Sequence, residues 1–486
     1  MTVSTLRRAR PCRSWAAVVL ALTVSACDGN DAPSSPPSES IRTLAYVVTD
    51  CVETGVDQSP VGVQRLLVQQ GEAEPVTVAS FPIMGPPSPF GLCAAFGVER
   101  FGPQSVVLGV FQRLAVSPDA SMVVFEVTDD LALCNPDVCF RPPPLPPESK
   151  GIFIVGADGV GARRLGPPSQ VPVFFTGPSI LLTLPSLDIS PNGQLATLTD
   201  LGVGSDAIER TQILTLDLTS GARRQLTRLP DAPETDPDFP ATCCPGFFDD
   251  QTVSFASTAD TDGQNPDNDL AFFTVDIDGR DTIKVPSLVE LPDGAIDPTF
   301  TISKGRPSAT IFFLGEAQEG PPGQIQEVLL IEGENLLQLT NLGRSDTTNP
   351  VLSNDGLQVF FVASADPLGT NPTNNCQVFS IDTTGTNLRQ LTNFSEVGAS
   401  EVGCLFAPAD SGCAIGIDAQ DTVTGTLILY SNCDPFGTNP DGGQIFTMQP
   451  DGGGLRQLTD AAGLVVEEGL VAAELPGPTA SAGSGQ

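Results

Sequence analysis

Residues 444–459 read QIFTMQPDGGGLRQLT. Ile445, Thr447 and Gln449 alternate with Phe446 and Met448, the chain turns at Pro450-Asp451-Gly452-Gly453-Gly454, and a short second strand ends in Leu455-Arg456-Gln457-Leu458-Thr459. Period-two alternation around an Asp-Gly turn is a β-hairpin. The same hairpin recurs at 377–392 (QVFSIDTTGTNLRQLT) and 212–227 (QILTLDLTSGARRQLT). A supersecondary unit repeated along the chain predicts a repeat architecture.

Each hairpin is preceded by a second one. In the clearest unit before 227, strands are expected at 187–190, 194–199, 213–218 and 223–227, with Ser190-Pro191-Asn192-Gly193 turning the first pair. Comparable sets fall at 114–165, 349–392 and 405–459, with Ser117-Pro118-Asp119 and Ser353-Asn354-Asp355-Gly356 as the turns. Weaker sets fall at 44–80, 252–277 and 299–340. The 230–250 stretch reads as a loop. Asp, Asn and Gly suit turns because they bond local backbone or accept positive φ. Four-stranded units in series are the blades of a β-propeller, so the fold class is all-β. Seven blades are expected over 41–475, with six or eight as the alternatives. The first unit lacks its inner strand, and 469–474 (GLVAAE) follows the last unit where another first strand would stand. The C-terminal segment is therefore expected to close the ring. Residues 476–486 read as a disordered tail.

The Ser-Pro-Asp and Ser-Pro-Asn-Gly turns together with the Leu-Arg-Gln-Leu-Thr endings resemble the β-propeller repeat of TolB and related periplasmic proteins. That resemblance implies a periplasmic or envelope setting.

The N-terminus agrees with export. Arg7, Arg8, Arg10 and Arg13 precede an apolar run, 15–26, that is too short to span a bilayer. It ends in Val24-Ser25-Ala26-Cys27, which resembles the bacterial lipobox. That resemblance implies cleavage of a signal peptide, 1–26, and lipidation of Cys27. Residues 27–40 are polar and Pro/Ser-rich, as a tether would be. The expected location is the bacterial cell envelope, as a lipid-anchored protein facing the periplasm or on the outer membrane. Loss of the signal removes four Arg and no acid, taking the formal charge from −35 to about −39. Such a field repels nucleic acid and anionic headgroups. Nucleic acid is therefore excluded as a partner, and contact with the membrane is expected through the lipid alone.

Ten of the twelve cysteines remain in the propeller region. An even number in an exported chain predicts disulfides. The expected pairs are Cys134–Cys139, Cys404–Cys413, Cys51–Cys93 and Cys376–Cys433, with a vicinal Cys243–Cys244 bridge. Zinc is disfavoured, because the chain has no His and no Cys-x-x-Cys pair.

One motif recurs between second and third strands. Asp130–Asp137 reads DLALCNPD, Asp260–Asp267 DTDGQNPD, Asp366–Thr373 DPLGTNPT and Asp434–Asp441 DPFGTNPD. The paired positions are Asp130 and Asn135, Asp260 and Asn265, Asp366 and Asn371, Asp434 and Asn439. Asp bonds amides ahead of it, Gly takes positive φ, and Asn before Pro is held extended. A structural loop is the simpler reading. In the second copy Asp260, Asp262, Asn265, Asp267 and Asp269 supply alternating oxygens suited to calcium, the one cofactor the sequence suggests.

Catalysis must do without histidine, so Ser-His-Asp and Cys-His arrangements are closed to this chain. The prolyl-oligopeptidase mechanism is excluded with them, although that family's propeller resembles this one. The sequence reading is thus a monomeric, non-catalytic propeller scaffold for a protein or peptide partner in the envelope. The alternative is a calcium-dependent module or carboxylate-based hydrolase acting on glycan or peptide.

Overall fold

The computed structural model describes residues 43–52, 61–84, 110–170, 187–230, 242–284, 295–302, 309–316, 325–342, 347–394, 415–420, 425–437, 444–460 and 464–473. Inside these ranges 72, 130–132, 136–137, 141–143, 248, 262, 264, 267, 269–270, 281, 297–299, 333–334, 354 and 432 are not described. The segments expected as signal, tether and tail lie outside, as do Cys27, Cys93, Cys404 and Cys413.

The described residues form an all-β propeller without an α-helix. Five sheets are each built from strands consecutive in sequence, and a sixth, sheet two, has a separate two-stranded ribbon inserted between its second and third strands. In chain order these are sheet two (Phe111–Val116, Met122–Val127, Gly151–Gly156, Arg163–Gly166) and sheet three (Leu187–Ile189, Leu195–Val203, Glu209–Asp217, Arg223–Gln225). Sheet four follows (Thr242–Phe247, Thr252–Ser257, Ala271–Asp276, Ile283–Lys284), then the five-stranded sheet five (Ala295–Ile296, Phe300–Ile302, Ala309–Glu316, Ile325–Glu332, Asn335–Gln338). Sheet six contains Thr347–Leu352, Gln358–Ala363, Gln377–Asp382 and Arg389–Gln390, and sheet seven Ile415–Gln420, Leu427–Ser431, Gln444–Met448 and Arg456–Gln457. Sheet one is composite: Thr43–Val52, Val61–Gln70 and Val76–Met84 are joined by Leu464–Ala473, which pairs antiparallel with Thr43–Val52.

Why the middle strands read as continuous apolar runs follows from packing. Successive side chains leave a strand on opposite faces, so a sheet covered on both sides needs apolar residues at every position. In sheet six Val359 and Phe361 join a cluster with Val328 and Leu330 of sheet five. Phe360 and Val362 instead join Ile415, Leu427 and Phe446 of sheet seven. Comparable clusters join sheets one and two, two and three, and three and four. Another joins Leu44, Tyr46 and Val48 of sheet one to Ile428 and Ile445 of sheet seven. A fully buried Phe or Leu contributes about 1.5–3 kcal/mol, so these faces dominate the stability.

Seating between sheets also needs glycine. Gly452 has φ 89° in the turn between third and fourth strands of sheet seven, and a Cβ there would lie 2.8 Å from the Leu391 carbonyl oxygen of sheet six. Gly221 of sheet three meets the Leu165 carbonyl of sheet two in the same way, at 2.1 Å. Each turn thus rests on the outer strand of the sheet before it.

Several local expectations are corrected. The 230–250 stretch is not all loop: Thr242–Phe247 is the first strand of sheet four, with Cys243 opposite Ala256 and a register shift before Gly246. Pro245 has no N–H for the ladder, and a proline inside a strand conceals it in the sequence. The Asp130–Asp137 copy is not a loop like the others, because Leu133–Asn135 pairs with Val138–Phe140 as a separate ribbon with Cys134 opposite Cys139. The C-terminal strand begins at Leu464, five residues before the expected start.

Candidate functional site

The candidate site is the end of the propeller that carries the loops between second and third strands. Its foundation is a latch that repeats in four sheets. In sheet six the Thr392 hydroxyl donates to Gln377 Oε1 (2.8 Å) and accepts from the Val378 amide (2.8 Å). Phe394 N donates to the same Oε1 at 3.0 Å, while Gln377 Nε2 donates to the Phe394 carbonyl at 3.0 Å. Gln390 Nε2 donates to the Thr392 carbonyl. Gln212, Gln225 and Thr227 repeat this arrangement in sheet three, and Gln444, Gln457 and Thr459 repeat its Thr-centred bonds in sheet seven. In sheet five Glu327 stands in place of the Gln. The Gln-Leu-Thr ending is therefore a buried hydrogen-bond network that joins third and fourth strands.

The loops above are built just as firmly. Asn371 N donates to Asp366 Oδ1 at 2.7 Å, and the buried Asn371 Nδ2 donates to the carbonyls of Ser364, Ala365 and Asn375. Thr370 Oγ1 ties the loop to Gln390. In sheet four Asn265 N meets Asp260 Oδ1, also at 2.7 Å, and Asn265 Nδ2 reaches the Thr258 carbonyl at 3.3 Å. Asn268 and Asn374 take the same left-handed conformation, φ 56° and 52°. Asp366 with Asn371, and Asp260 with Asn265, thus serve their own loops. Asp434 opens the equivalent turn in sheet seven, where Gly437 N donates to its carbonyl. Asn439 and Asp130 lie outside the described residues, and Asn135 belongs to the ribbon. Of the calcium candidates Asp262, Asp267 and Asp269 also lie outside, and among the described residues no group of three acidic or thiol side chains could hold a metal.

A charged network at the junction of sheets two and three escaped sequence reading. Arg113, on the inner strand, pairs with buried Glu126 and reaches Thr199 Oγ1 of sheet three. Glu126 also accepts from Ser169 N, Ser169 Oγ donates to the Thr199 carbonyl, and Asp200 binds the Gln170 amide and Arg223. The available signal was single charges within apolar strands, FQRLAV and MVVFEV. Beside it, Asp129 accepts from Leu145 N and Lys150, closing the base of the inserted ribbon. Burial pushes the Asp129 carboxyl up, but the Lys150 and Leu145 bonds outweigh it and hold it below the usual carboxylate range. These charges pair with one another, which suits bracing rather than proton transfer.

No protein-family model and no curated protein sequence matches the chain. Solved structures do resemble it. A prolyl endopeptidase aligns with 85% of this chain and 49% of its own at 10% identity, with a TM-score of 0.44. The acylaminoacyl peptidase of Pyrococcus horikoshii aligns with 86% and 52% at 10% identity and 0.43. The β-propeller domain of the Trilobed protease from Pyrococcus furiosus aligns with 86% and 98% at 10% identity and 0.42. The chain therefore spans about half the length of the two peptidases and nearly all of the isolated propeller. At such identity the likeness concerns fold alone. It nevertheless overturns one expectation: similar propellers occur in peptidases, so the reading as a non-catalytic scaffold for protein or peptide partners is withdrawn. What these comparisons support is the β-propeller fold.

Proposed function

We propose that this chain is the propeller unit of a peptide-hydrolysing system, receiving polypeptide on its loop end while histidine-dependent chemistry is supplied from outside this sequence. The observation that carries the reading is the dense internal bonding of the loop end. Asn371, Asn265 and the Gln-Thr latches spend their polar groups on the backbone, leaving a rigid platform that is suited to holding a chain. The resemblance to peptidase propellers agrees with the reading and adds no weight to it.

Three finer points belong to the same proposal. The composite sheet is read as a seventh blade, supported by the pairing of 464–473 with Thr43–Val52 and by the cluster of sheets seven and one. Deleting 464–486 should abolish the cooperative melting transition, and an unchanged melting temperature would refute closure. A Cys376–Cys433 bond is supported by burial of both residues in one cluster and by the disulfide-bonded form of each. The lipobox-like run before Cys27 and the TolB-type endings support export and lipid anchoring. Calcium at Asp260, Asp262, Asn265, Asp267 and Asp269 is tested by whether calcium raises the melting temperature over chelator.

The function is tested by comparing two preparations against a fluorogenic peptide mixture: the chain isolated from its native envelope in mild detergent, and the full chain expressed alone. Peptide cleavage with a fluorophosphonate-labelled serine in the native preparation only is the expected result. Cleavage by the chain alone, or by neither preparation, overturns the proposal.

A further inference from the structure

The second and third strands of sheet two, Met122–Val127 and Gly151–Gly156, are joined by an insertion that carries the ribbon and then returns through Pro144-Leu145-Pro146-Pro147-Glu148-Ser149-Lys150. The return segment is firmly held. Leu145 is 8% exposed and lies in the cluster that joins sheets one and two. Its amide donates to Asp129, which also pairs with Lys150. A single 3-10 turn, Pro147–Ser149, follows, with Ser149 N donating to the Pro146 carbonyl at 2.9 Å and Lys150 N to the Pro147 carbonyl at 3.3 Å. The Lys150 carbonyl in turn accepts from Arg164 Nε at 2.7 Å.

Within these anchors the backbone takes the polyproline II form. The pyrrolidine ring fixes φ at 144, 146 and 147, and a residue before proline is kept extended, which governs Leu145 and Pro146. Pro146 has φ −55° and ψ 139°. Such a helix has about three residues per turn and therefore three edges. Leu145 occupies the edge turned into the core. Pro144 and Pro147, three positions apart, share the second edge, and Pro146 lies on the third. All three prolines are exposed. The following turn needs no more than Pro147, which suits its first position. Pro144 and Pro146 present apolar rings on a backbone that is already fixed. A three-edged helix laid in a groove touches it with two edges and turns the third away. The grooves that receive this helix are lined by aromatic rings, and a ligand already in the bound form loses little conformational entropy on docking. Here the edge left for turning away is the one anchored in the propeller. We propose that Pro144, Pro146 and Pro147 are the docking segment for a protein partner whose groove is walled by Tyr and Trp rings. Docking of this kind is separate from the proposed peptide handling and does not depend on it.

The test is a titration of the full chain into an isotope-labelled SH3 domain of the class that takes Pro-x-x-Pro ligands, read from the amide resonances around its aromatic groove. The same domain with its groove Trp replaced by Ala is the control. The groove resonances of the intact domain should shift with saturable binding, and the Trp-less domain should not respond. Pro144→Ala with Pro147→Ala should weaken binding by about tenfold or more, and Pro146→Ala alone severalfold. Pro191→Ala, which removes an exposed proline from the turn between the first two strands of sheet three, should leave it unchanged. Because Pro146→Ala keeps the proline that opens the 3-10 turn, it separates loss of a docking edge from disturbance of that turn. No binding by the intact domain, equal binding by the Trp-less domain, wild-type affinity in the double variant, or equal weakening by Pro191→Ala overturns the proposal. None of these results bears on whether the native preparation cleaves peptides, so failure of the docking segment and failure of the function are read separately.

Discussion

Sheets five and six contain the same latch with one atom changed. In sheet six Gln377 accepts from Thr392 and Phe394 through its oxygen and donates to the Phe394 carbonyl through its nitrogen. In sheet five the equivalent Glu327 accepts from Thr340 Oγ1 at 2.6 Å and from Leu342 N on both oxygens. The carboxyl oxygens satisfy the accepting half of the latch, and Glu has no side-chain N–H for the donating half. The accepting half is therefore what the architecture requires, and the donating half is a refinement that sheet five lacks.

Substitutions at these positions break or sharpen that contrast. Gln377→Ala leaves the Thr392 hydroxyl and the Phe394 amide buried without their acceptor, and should cost roughly 2–4 kcal/mol in urea unfolding. Gln377→Glu turns the latch of sheet six into that of sheet five; keeping both acceptors, it should cost about 1–2 kcal/mol. The reverse change, Glu327→Gln, restores a donor and should stabilise by about 0.5–1 kcal/mol. A loss on that change would show that sheet five depends on the charge.

The turns between first and second strands extend the comparison to smaller effects. Ser117, Ser190 and Ser353 accept from the same two amides, four and five residues ahead. Two copies place Gly193 and Gly356 at positive φ where the third has Ala120, at φ 52°. Ala120→Gly should gain about 0.5–1 kcal/mol by relieving a left-handed alanine. The smallest effect is at Asp119, whose place in the next copy is held by Asn192. Burial raises the Asp119 carboxyl, but bonds from Ser117 and Ser121 outweigh it and leave it lowered. A lowered folded value gives stability that is present above the unfolded value, about 3.9, and lost as pH falls through the folded one. Asp119→Asn keeps an acceptor oxygen but loses the ionised form that the fold favours, so it should lower the melting temperature slightly at pH 7 and flatten the acid limb of its profile below about pH 4.

What the sequence disclosed and what it withheld divide along the range of the interactions involved. The hairpin at 444–459, the Ser-Pro-Asp turns and the Asp-to-Asn loops are bonded within about fifteen residues, so their residue types stand close together in the text. The latch was visible as a Gln-Leu-Thr ending, though not its partner at the start of the third strand. The Arg113–Glu126–Asp200–Arg223 network was not legible, because its members come from two sheets and each looks like a stray charge. Thr242–Phe247 was hidden by Pro245, whose missing amide shifts the register. The exposed prolines Pro144, Pro146 and Pro147 were in plain sight in the PLPP run. Only the burial of Leu145 among them shows which edges face outward, and burial has no sequence signature.

Sheet one joins the first and last described strands, Thr43–Val52 and Leu464–Ala473. Synthesis runs from the N-terminus, so Thr43–Val52, Val61–Gln70 and Val76–Met84 emerge hundreds of residues before Leu464–Ala473. Until then the Thr43–Val52 edge lacks its partner strand, and an unpaired edge invites aggregation. A nascent chain that stops early keeps that edge exposed. Leu464–Ala473 thus gives the first strand a cover that a chain stopped before Leu464 does not have.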